Sequence, residues 1–384
     1  MNVLLYCHKL PPDVTVGIGS YAFQLAQALT EEGHNVTVLT GDRNAPPQKE
    51  TADCKVVRTI DFKRGSEDHV WWTEHIAEEA YNIVKQDHID ICEFPEFNAP
   101  SVAFTRNHPD FPVLVRLHMS HRFCSMYGRT RLRHFVHSIL SSNFRCMDKL
   151  EQEACSRASV CSGISQAVIE KYREQNWNLG KRTVLVPNFL STDPAVSNKS
   201  STSRPQILFV GRLDRLKGAD LLPRVIRNVC STFEEVKFTV VGPGNTARFV
   251  DGIPPHLRHN VTVTGPLPHV KVMHLQKEHD IGLCLSTIEN FPYVILEYMS
   301  NGLCVLNAAG GGAQEIGTHG ENIVQVRRDS DSVSNALVDM VGNAEFRMRI
   351  SSGGVELVRR KYSSRAVIPE MIRSYELAIA VSNR

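Results

Sequence analysis

Two carboxylates, Glu289 and Glu297, bracket the stretch Glu-Asn-Phe-Pro-Tyr-Val-Ile-Leu-Glu. The preceding apolar run, Asp280-Ile-Gly-Leu-Cys-Leu-Ser286, predicts a buried strand, and the residues from Pro292 onward predict a helix. Proline suits the first helical position, where its missing N–H removes no intrahelical bond. Backbone N–H groups near Phe291, Tyr293 and Val294 then sit at a helix start, a place suited to phosphate. One acid precedes this anion site and the other lies about one and a half turns inside the helix. Acids beside a phosphate cradle need partners other than phosphate, and hydroxyl groups fit. The implied ligand carries sugars on both sides of a diphosphate.

A second chemical cluster is Gly211-Arg-Leu-Asp-Arg-Leu-Lys217-Gly218, after the apolar run Ile207–Val210. Arg212 offers a planar fork to phosphate oxygens and Lys217 a point charge. The bland alternative is a solvated basic turn. Near the N-terminus, Gly17-Ile-Gly19-Ser-Tyr-Ala22 precedes a predicted helix and has the look of a dinucleotide fingerprint, with Asp42 near the ribose-binding place. Against NAD, about ten residues, His8 to Val16, separate the strand from the first glycine, too many for a tight phosphate turn. A loop of that length could present N–H groups to a phosphate held elsewhere. His118 ends the run Val113-Leu-Val-Arg-Leu, at a strand's carboxyl end, where catalytic groups gather; a structural histidine is the alternative. His118 with His121, and His134 with His137, have a three-residue offset that lacks a third metal ligand, so no metal is expected. Gly310-Gly311-Gly312 follows a strand and opens a helix, and Gly242-Pro-Gly244 reads as a structural turn.

These groups need elements to hold them. The chain has 384 residues, 42% hydrophobic and 22% charged, which fits two globular domains. A formal net charge of +2 argues against nucleic acid as a partner. No apolar segment reaches the ~18 residues of a membrane span. The N-terminus reads as a first strand, without the cationic region of a signal peptide. Ten scattered cysteines without a Cys-x-x-Cys pair suit reduced thiols and a cytoplasmic location. Strands are predicted at Val3–Cys7, Val36–Leu39, Ile89–Cys92, Val113–Leu117 and Val184–Val186, with helices at Ser20–Glu32, Thr73–Gln86 and Asn143–Ala158. The polar, small-residue stretch 191–205 reads as a linker. Strands then resume at Ile207–Val210, Lys237–Val241, Val261–Thr264, Ile281–Leu285 and Val305–Asn307, and Tyr362–Val381 is helical. The expected architecture is α/β: two Rossmann-like lobes, 1–190 and 206–364, facing across a cleft, with a helix at about 365–384 free to pack back on the first. The segment 121–145 interleaves Arg122, Arg129, Arg131, Arg133 and Arg145 with Phe123, Met126, Tyr127, Phe135 and Leu140. It could be a helix at the inner membrane face, an acceptor-binding wall or a solvated helix face.

In order, these pieces resemble the family-four retaining glycosyltransferases of the GT-B fold, over nearly the whole chain. The resemblance rests on Gly211-Arg-Leu-x-x-x-Lys-Gly218, on Glu289-x7-Glu297 and on the ordered motifs of the first lobe. It implies a nucleotide-sugar donor, UDP- or GDP-linked, held chiefly by the second lobe, and a saccharide, lipid-linked or small-molecule acceptor held by the first. By resemblance, Arg212 and Lys217 hold the diphosphate and Glu297 the ribose hydroxyls. Glu289 contacts the donor sugar, and Asn290, Phe291, Pro292 and Tyr293 support sugar and phosphate. His118 matches the histidine beside the donor sugar, and Gly17–Gly19 the glycine loop near the phosphate. Asn290-Phe-Pro292 departs from the common Gly-Phe-Gly, which bears on sugar preference. No cofactor is implied beyond the donor substrate. Rival readings are a nucleotide-sugar epimerase of the same architecture, an NAD-dependent oxidoreductase and a non-catalytic nucleotide-sugar sensor.

Overall fold

Short runs of β-branched and apolar residues form strands covered on both faces, the pattern that a parallel sheet between helices demands. The computed structural model describes residues 1–10, 17–41, 54–60, 69–128, 141–191 and 205–383. The chain divides into two units, Met1–Ser191 with Ser364–Arg384, and Thr192–Ser363.

In the first unit, β1 (Asn2–Cys7), β2 (Asn35–Thr40), β3 (Lys55–Arg58), β4 (Ile91–Pro95), β5 (Val113–Leu117), β6 (Val160–Gly163) and β7 (Arg182–Leu185) form one sheet. Its order is β3-β2-β1-β4-β5-β6-β7 and its pairings are parallel. The helices are α1 (Gly17–Glu31), α2 (His69–Gln86), α3 (Val102–Asn107), α4 (His121–Gly128), α5 (Ser142–Arg157) and α6 (Gln166–Glu174). In the second unit, β8 (Gln206–Val210), β9 (Lys237–Val241), β10 (Val261–Gly265), β11 (Ile281–Cys284), β12 (Cys304–Asn307) and β13 (Val324–Gln325) form a parallel sheet ordered β10-β9-β8-β11-β12-β13. Its helices are α7 (Leu222–Cys230), α8 (Thr246–Asp251), α9 (His269–Glu278), α10 (Tyr293–Ser300), α11 (Ser330–Gly342) and α12 (Ala344–Lys361). The last helix, α13 (Ser364–Ser382), belongs to the first unit, where Tyr375 donates to buried Glu93 at 2.5 Å.

Each sheet therefore reverses its strand order once, between β1 and β4 and between β8 and β11. Loops at the carboxyl ends of those strands diverge and leave a crevice, the usual ligand place of open α/β sheets. Beneath the second crevice, Ile207, Phe209, Ile226, Val240, Leu283 and Leu306 are buried in one core, each worth roughly 1.5–3 kcal/mol of transfer energy.

Three local expectations need correction. Helix α1 begins at Gly17 rather than Ser20, so Gly17 and Gly19 lie in its first turn and not in a preceding loop. Low glycine propensity gives way there to burial of Tyr21, Ala22, Leu25 and Leu29. Strand β4 runs to Pro95, beyond the expected Cys92, because Glu93 is buried within it and bonded to Tyr375. Pro292 is extended, at φ −76° and ψ 123°, and caps α10 rather than opening it.

Candidate active site

The loop after β8 is folded by Asp214, whose Oδ1 accepts from the Lys217 amide at 2.9 Å and whose Oδ2 accepts from Arg212 Nε at 2.8 Å. Such an aspartate turn competes with helix and brings the chain back within one loop. Gly218 closes the turn at φ +86°, and a Cβ there would lie 2.2 Å from the Leu285 oxygen. Only glycine meets both demands. The loop is then tied to the end of β11: the Thr287 amide donates to the Leu216 oxygen at 2.8 Å. Arg328 completes the clasp, donating to the oxygens of Leu285 at 2.9 Å and Arg215 at 2.8 Å, and to Asp220 at 3.0 Å.

The result is an ion pair between Lys217 Nζ and Glu289 Oε1. Ser286 Oγ donates to the same carboxylate oxygen at 2.6 Å. The Glu289 backbone is held through its amide on the Gly310 oxygen, 3.0 Å, and its oxygen on the Ala313 amide, 3.2 Å. Gly311, at φ +76°, allows this approach, since a Cβ would meet the Glu289 oxygen at 2.8 Å. The glycine cluster thus holds Glu289 from behind and opens a short 3-10 segment, Gly311–Glu315, not an α-helix. Arg212 is 56% exposed and, among the described residues, paired with Asp214 across an exposed surface, so its fork is cheaply released.

Downstream, Phe291 is buried with its ring edge-on to Tyr362, 5.4 Å between centroids, and anchors the entry to α10. At the other side of α10, Tyr298 accepts the Val210 amide at 3.0 Å and leaves room only for hydrogen at Gly282. Helix α10 is thereby fixed to β8 and β11, and in its first turn the Ile295 amide donates to the Pro292 oxygen at 3.2 Å. Glu297 meets His269 Nε2 at 3.1 Å and Gln276 Nε2 at 3.2 Å. The bond to Glu297 raises the His269 pKa above its ordinary 6.5, against a smaller effect of burial.

In the first unit, His118 is buried with its ring edge-on to Tyr21 at 5.3 Å. Burial first, and then the Arg116 charge, push its pKa down to about 3, so the ring is neutral. Its amide donates to Glu96 Oε2 at 2.8 Å, and Tyr172 donates to Glu96 Oε1 at 2.7 Å. Burial outweighs these bonds and lifts Glu96 to about 7. Arg116, fully buried, is held by Ser162 at 2.7 Å and Asn188 at 3.3 Å and lies over the Tyr21 ring at 4.6 Å.

The structure brings together Lys217 and Glu289, with Arg212 on the same loop as Lys217 and Asn290, Phe291, Pro292 and Tyr293 following Glu289. Gly17, Gly19 and His118 belong to the first unit. Asp42, Arg129, Arg131, Arg133, His134, Phe135, His137, Leu140 and linker residues 192–204 lie outside the described residues. Where 121–145 is described, Phe123 is buried, Arg122 is forked on Asp148, Met126 and Tyr127 are half-buried and Arg145 is exposed. No helix among the described residues is long and apolar enough to cross a membrane. Sequence reading missed Asp214, Ser286, Gln276 and Arg328. Only Asp214 had a local signal, its turn-forming spacing to Lys217.

Residues 16–194 match the Glycosyltransferase Family 4 model, and residues 193–356 match that of Glycosyl transferases group 1. Over 139 residues the chain is 37% identical to the phosphatidylinositol N-acetylglucosaminyltransferase GPI3 subunit of Saccharomyces cerevisiae, 35% of this chain and 30% of that protein. The chain therefore aligns with less than a third of that relative's length. It is 24% identical over 382 residues to the phosphatidyl-myo-inositol mannosyltransferase of Mycobacterium leprae, covering 95% of this chain and 94% of that one. Sucrose-phosphate synthase from Thermosynechococcus elongatus superposes with a TM-score of 0.77 over 99% of both chains at 18% identity, a likeness of fold. The two glycosyltransferase models thus match in succession from residue 16 to residue 356, on a chain with the GT-B fold.

Proposed function

We propose that the chain moves a hexosyl or N-acetylhexosaminyl group from a UDP- or GDP-sugar to a hydroxyl of a lipid-borne or free saccharide or polyol, with retention of anomeric configuration. The observation that carries this reading is the Lys217–Glu289 pair at the strand-order reversal of the second unit, beside Arg212 and the α10 start. In this reading the anomeric C–O bond to phosphate breaks and its electron pair goes to the phosphate oxygen. The acceptor oxygen bonds the anomeric carbon on the same face, and its proton goes to the departing phosphate. Arg212, Lys217 and the α10 amides stabilise the negative charge as it develops. Glu289 holds sugar hydroxyls and Glu297 the ribose, while Asn290 to Tyr293 line the sugar and phosphate. His118, neutral, accepts or donates one hydrogen bond at the sugar, and the first turn of α1, with Gly17 and Gly19, approaches the phosphate. The countercharge comes from side chains and amides, so no metal is assigned a step.

Two relatives named above act, by their names, on phosphatidylinositol, which makes an inositol lipid the first acceptor to try. Peripheral contact at the inner membrane face would suit such an acceptor. The test is a thermal-shift panel of nucleotide sugars, followed by release of nucleoside diphosphate with each acceptor and NMR of the product's anomeric proton. A donor that raises the melting temperature and is consumed only with acceptor supports the reading. No affinity for any nucleotide sugar would refute it, and an inverted product would refute retention.

A further inference from the structure

Glu151 is fully buried on α5 and accepts three hydrogen bonds: from the Asn98 amide at 3.0 Å, the His121 amide at 2.9 Å and His121 Nδ1 at 2.7 Å. Burial raises the Glu151 pKa, while the bonds from His121 and two backbone amides favour the ionised form. With Glu151 ionised, the Nδ1 hydrogen of a neutral His121 is committed to it and Nε2 keeps its lone pair. The ring lies flat on Phe97, with centroids 4.3 Å apart and planes 5° from parallel. Its side chain is 23% exposed, and among the described residues nothing bonds Nε2. An imidazole oriented by a buried carboxylate, with no described residue bonded to its second nitrogen, is suited to receive a proton donor.

The surroundings are held against strain. Asn98 and Ala99 follow β4 in succession at φ +65° and +51°, the left-handed region, which Asn tolerates but Ala does not favour. Asn98 is fastened from three sides: its amide by Glu151, its oxygen by His69 Nε2 at 3.1 Å and its side-chain nitrogen by His8 Nε2 at 3.0 Å. His8 follows β1, Phe97 and Asn98 follow β4, and His121 follows β5, so the cluster surrounds the first unit's strand-order reversal. Strain of this kind persists where the surrounding structure over-determines the backbone.

We infer that His121 is an acceptor-binding residue, its Nε2 taking a hydrogen bond from an acceptor hydroxyl, with Glu151 as the positioning residue that holds the ring. The inference rests on the glycosyl-transfer reading above. Two substitutions separate the working atom from the structural one. His121→Asn keeps a donor near the Nδ1 place, facing Glu151, and deletes Nε2. His121→Gln keeps an amide near Nε2 and gives up the bond to Glu151. Both are assayed with phosphatidylinositol in mixed micelles, free myo-inositol and an alkyl glucoside, using whichever is glycosylated fastest. His121→Asn should raise the acceptor KM about tenfold or more, the effect of losing one good hydrogen bond, while donor Kd stays within about twofold. His121→Gln should retain more acceptor affinity than His121→Asn. An unchanged acceptor KM in folded His121→Asn overturns the inference, as does a rise in donor Kd equal to that in acceptor KM. Transfer to none of the three probes removes the underlying reading and the inference together.

Discussion

The two units share a strand order but bend their crevice loops by opposite means. In the second, glycines absorb the sharp turns: Gly218, Gly242 and Gly311 all have positive φ, and the charged groups Arg212, Lys217 and Glu289 stand partly exposed above them. In the first, non-glycine residues take the left-handed conformations, and the buried acids Glu96 and Glu151 hold the loops by accepting backbone amides. A glycine turn leaves room for a ligand's phosphate to approach backbone. A carboxylate under a loop instead fixes the side chains displayed on it. In the reading proposed above, the glycine turns serve the diphosphate and the braced loops the acceptor hydroxyls.

Four measurements would break or sharpen this contrast. Arg212→Ala should lower kcat by at least ~10²-fold, as loss of a charge-stabilising donor does elsewhere; near-normal turnover would leave the second unit's cations without a role. Next comes a pair of glycines. Gly33→Ala meets no atom within 4 Å and bears only its φ of +82°, costing about 1–2 kcal/mol. Gly218→Ala must also displace the Leu285 oxygen, adding roughly 1–3 kcal/mol. Equal losses in denaturant melts would show that the second-unit turn is not tightly confined. Glu297→Ala should raise the donor KM about tenfold with little change in kcat, since the proposed ribose contact is made before and during transfer alike. An unaltered donor KM would end that role.

The smallest effect is in pH, where the histidines of the two units move in opposite directions. His269 has its pKa raised above 6.5 by Glu297, so its contribution to stability is full below pH 6.5 and is lost as pH rises through the folded value. The melting-temperature gap between wild type and His269→Ala should narrow from about pH 6 to about pH 9. His118, pushed down to about 3, is the reverse: its neutral burial favours folding above pH 6.5, and that contribution fades as pH falls toward 3. Ring NMR shifts of His118 that titrate near 6.5 would contradict its burial.

Much of the frame was legible. Lys237–Val241 and Val113–Leu117 are strands over the expected residues, since an unbroken apolar run in an α/β chain has few other fates. β4 was misplaced because a buried acid, Glu93, looks like a strand end until Tyr375 is seen bonded to it. β6, Val-Cys-Ser-Gly, is too small and polar to announce itself. The Lys217–Glu289 pair was foreshadowed, because both residues sit in short motifs. The supports of the second-unit site were not: Arg328 reaches Arg215, and His269 reaches Glu297, across stretches that no periodicity spans.

By itself, then, the order of residues determined the alternation of strands and helices, the break between the two α/β series, and the cluster of cations, acids and glycines suited to a diphosphate. Each of these depends on neighbours a few positions apart, where side-chain type and backbone freedom act directly. Only the tertiary structure decided that Lys217 meets Glu289, that Arg328 clasps both loops, and that Glu151 holds the His121 ring. Those contacts follow from strand order and loop closure, which bring distant residues together through the packing of the whole sheet.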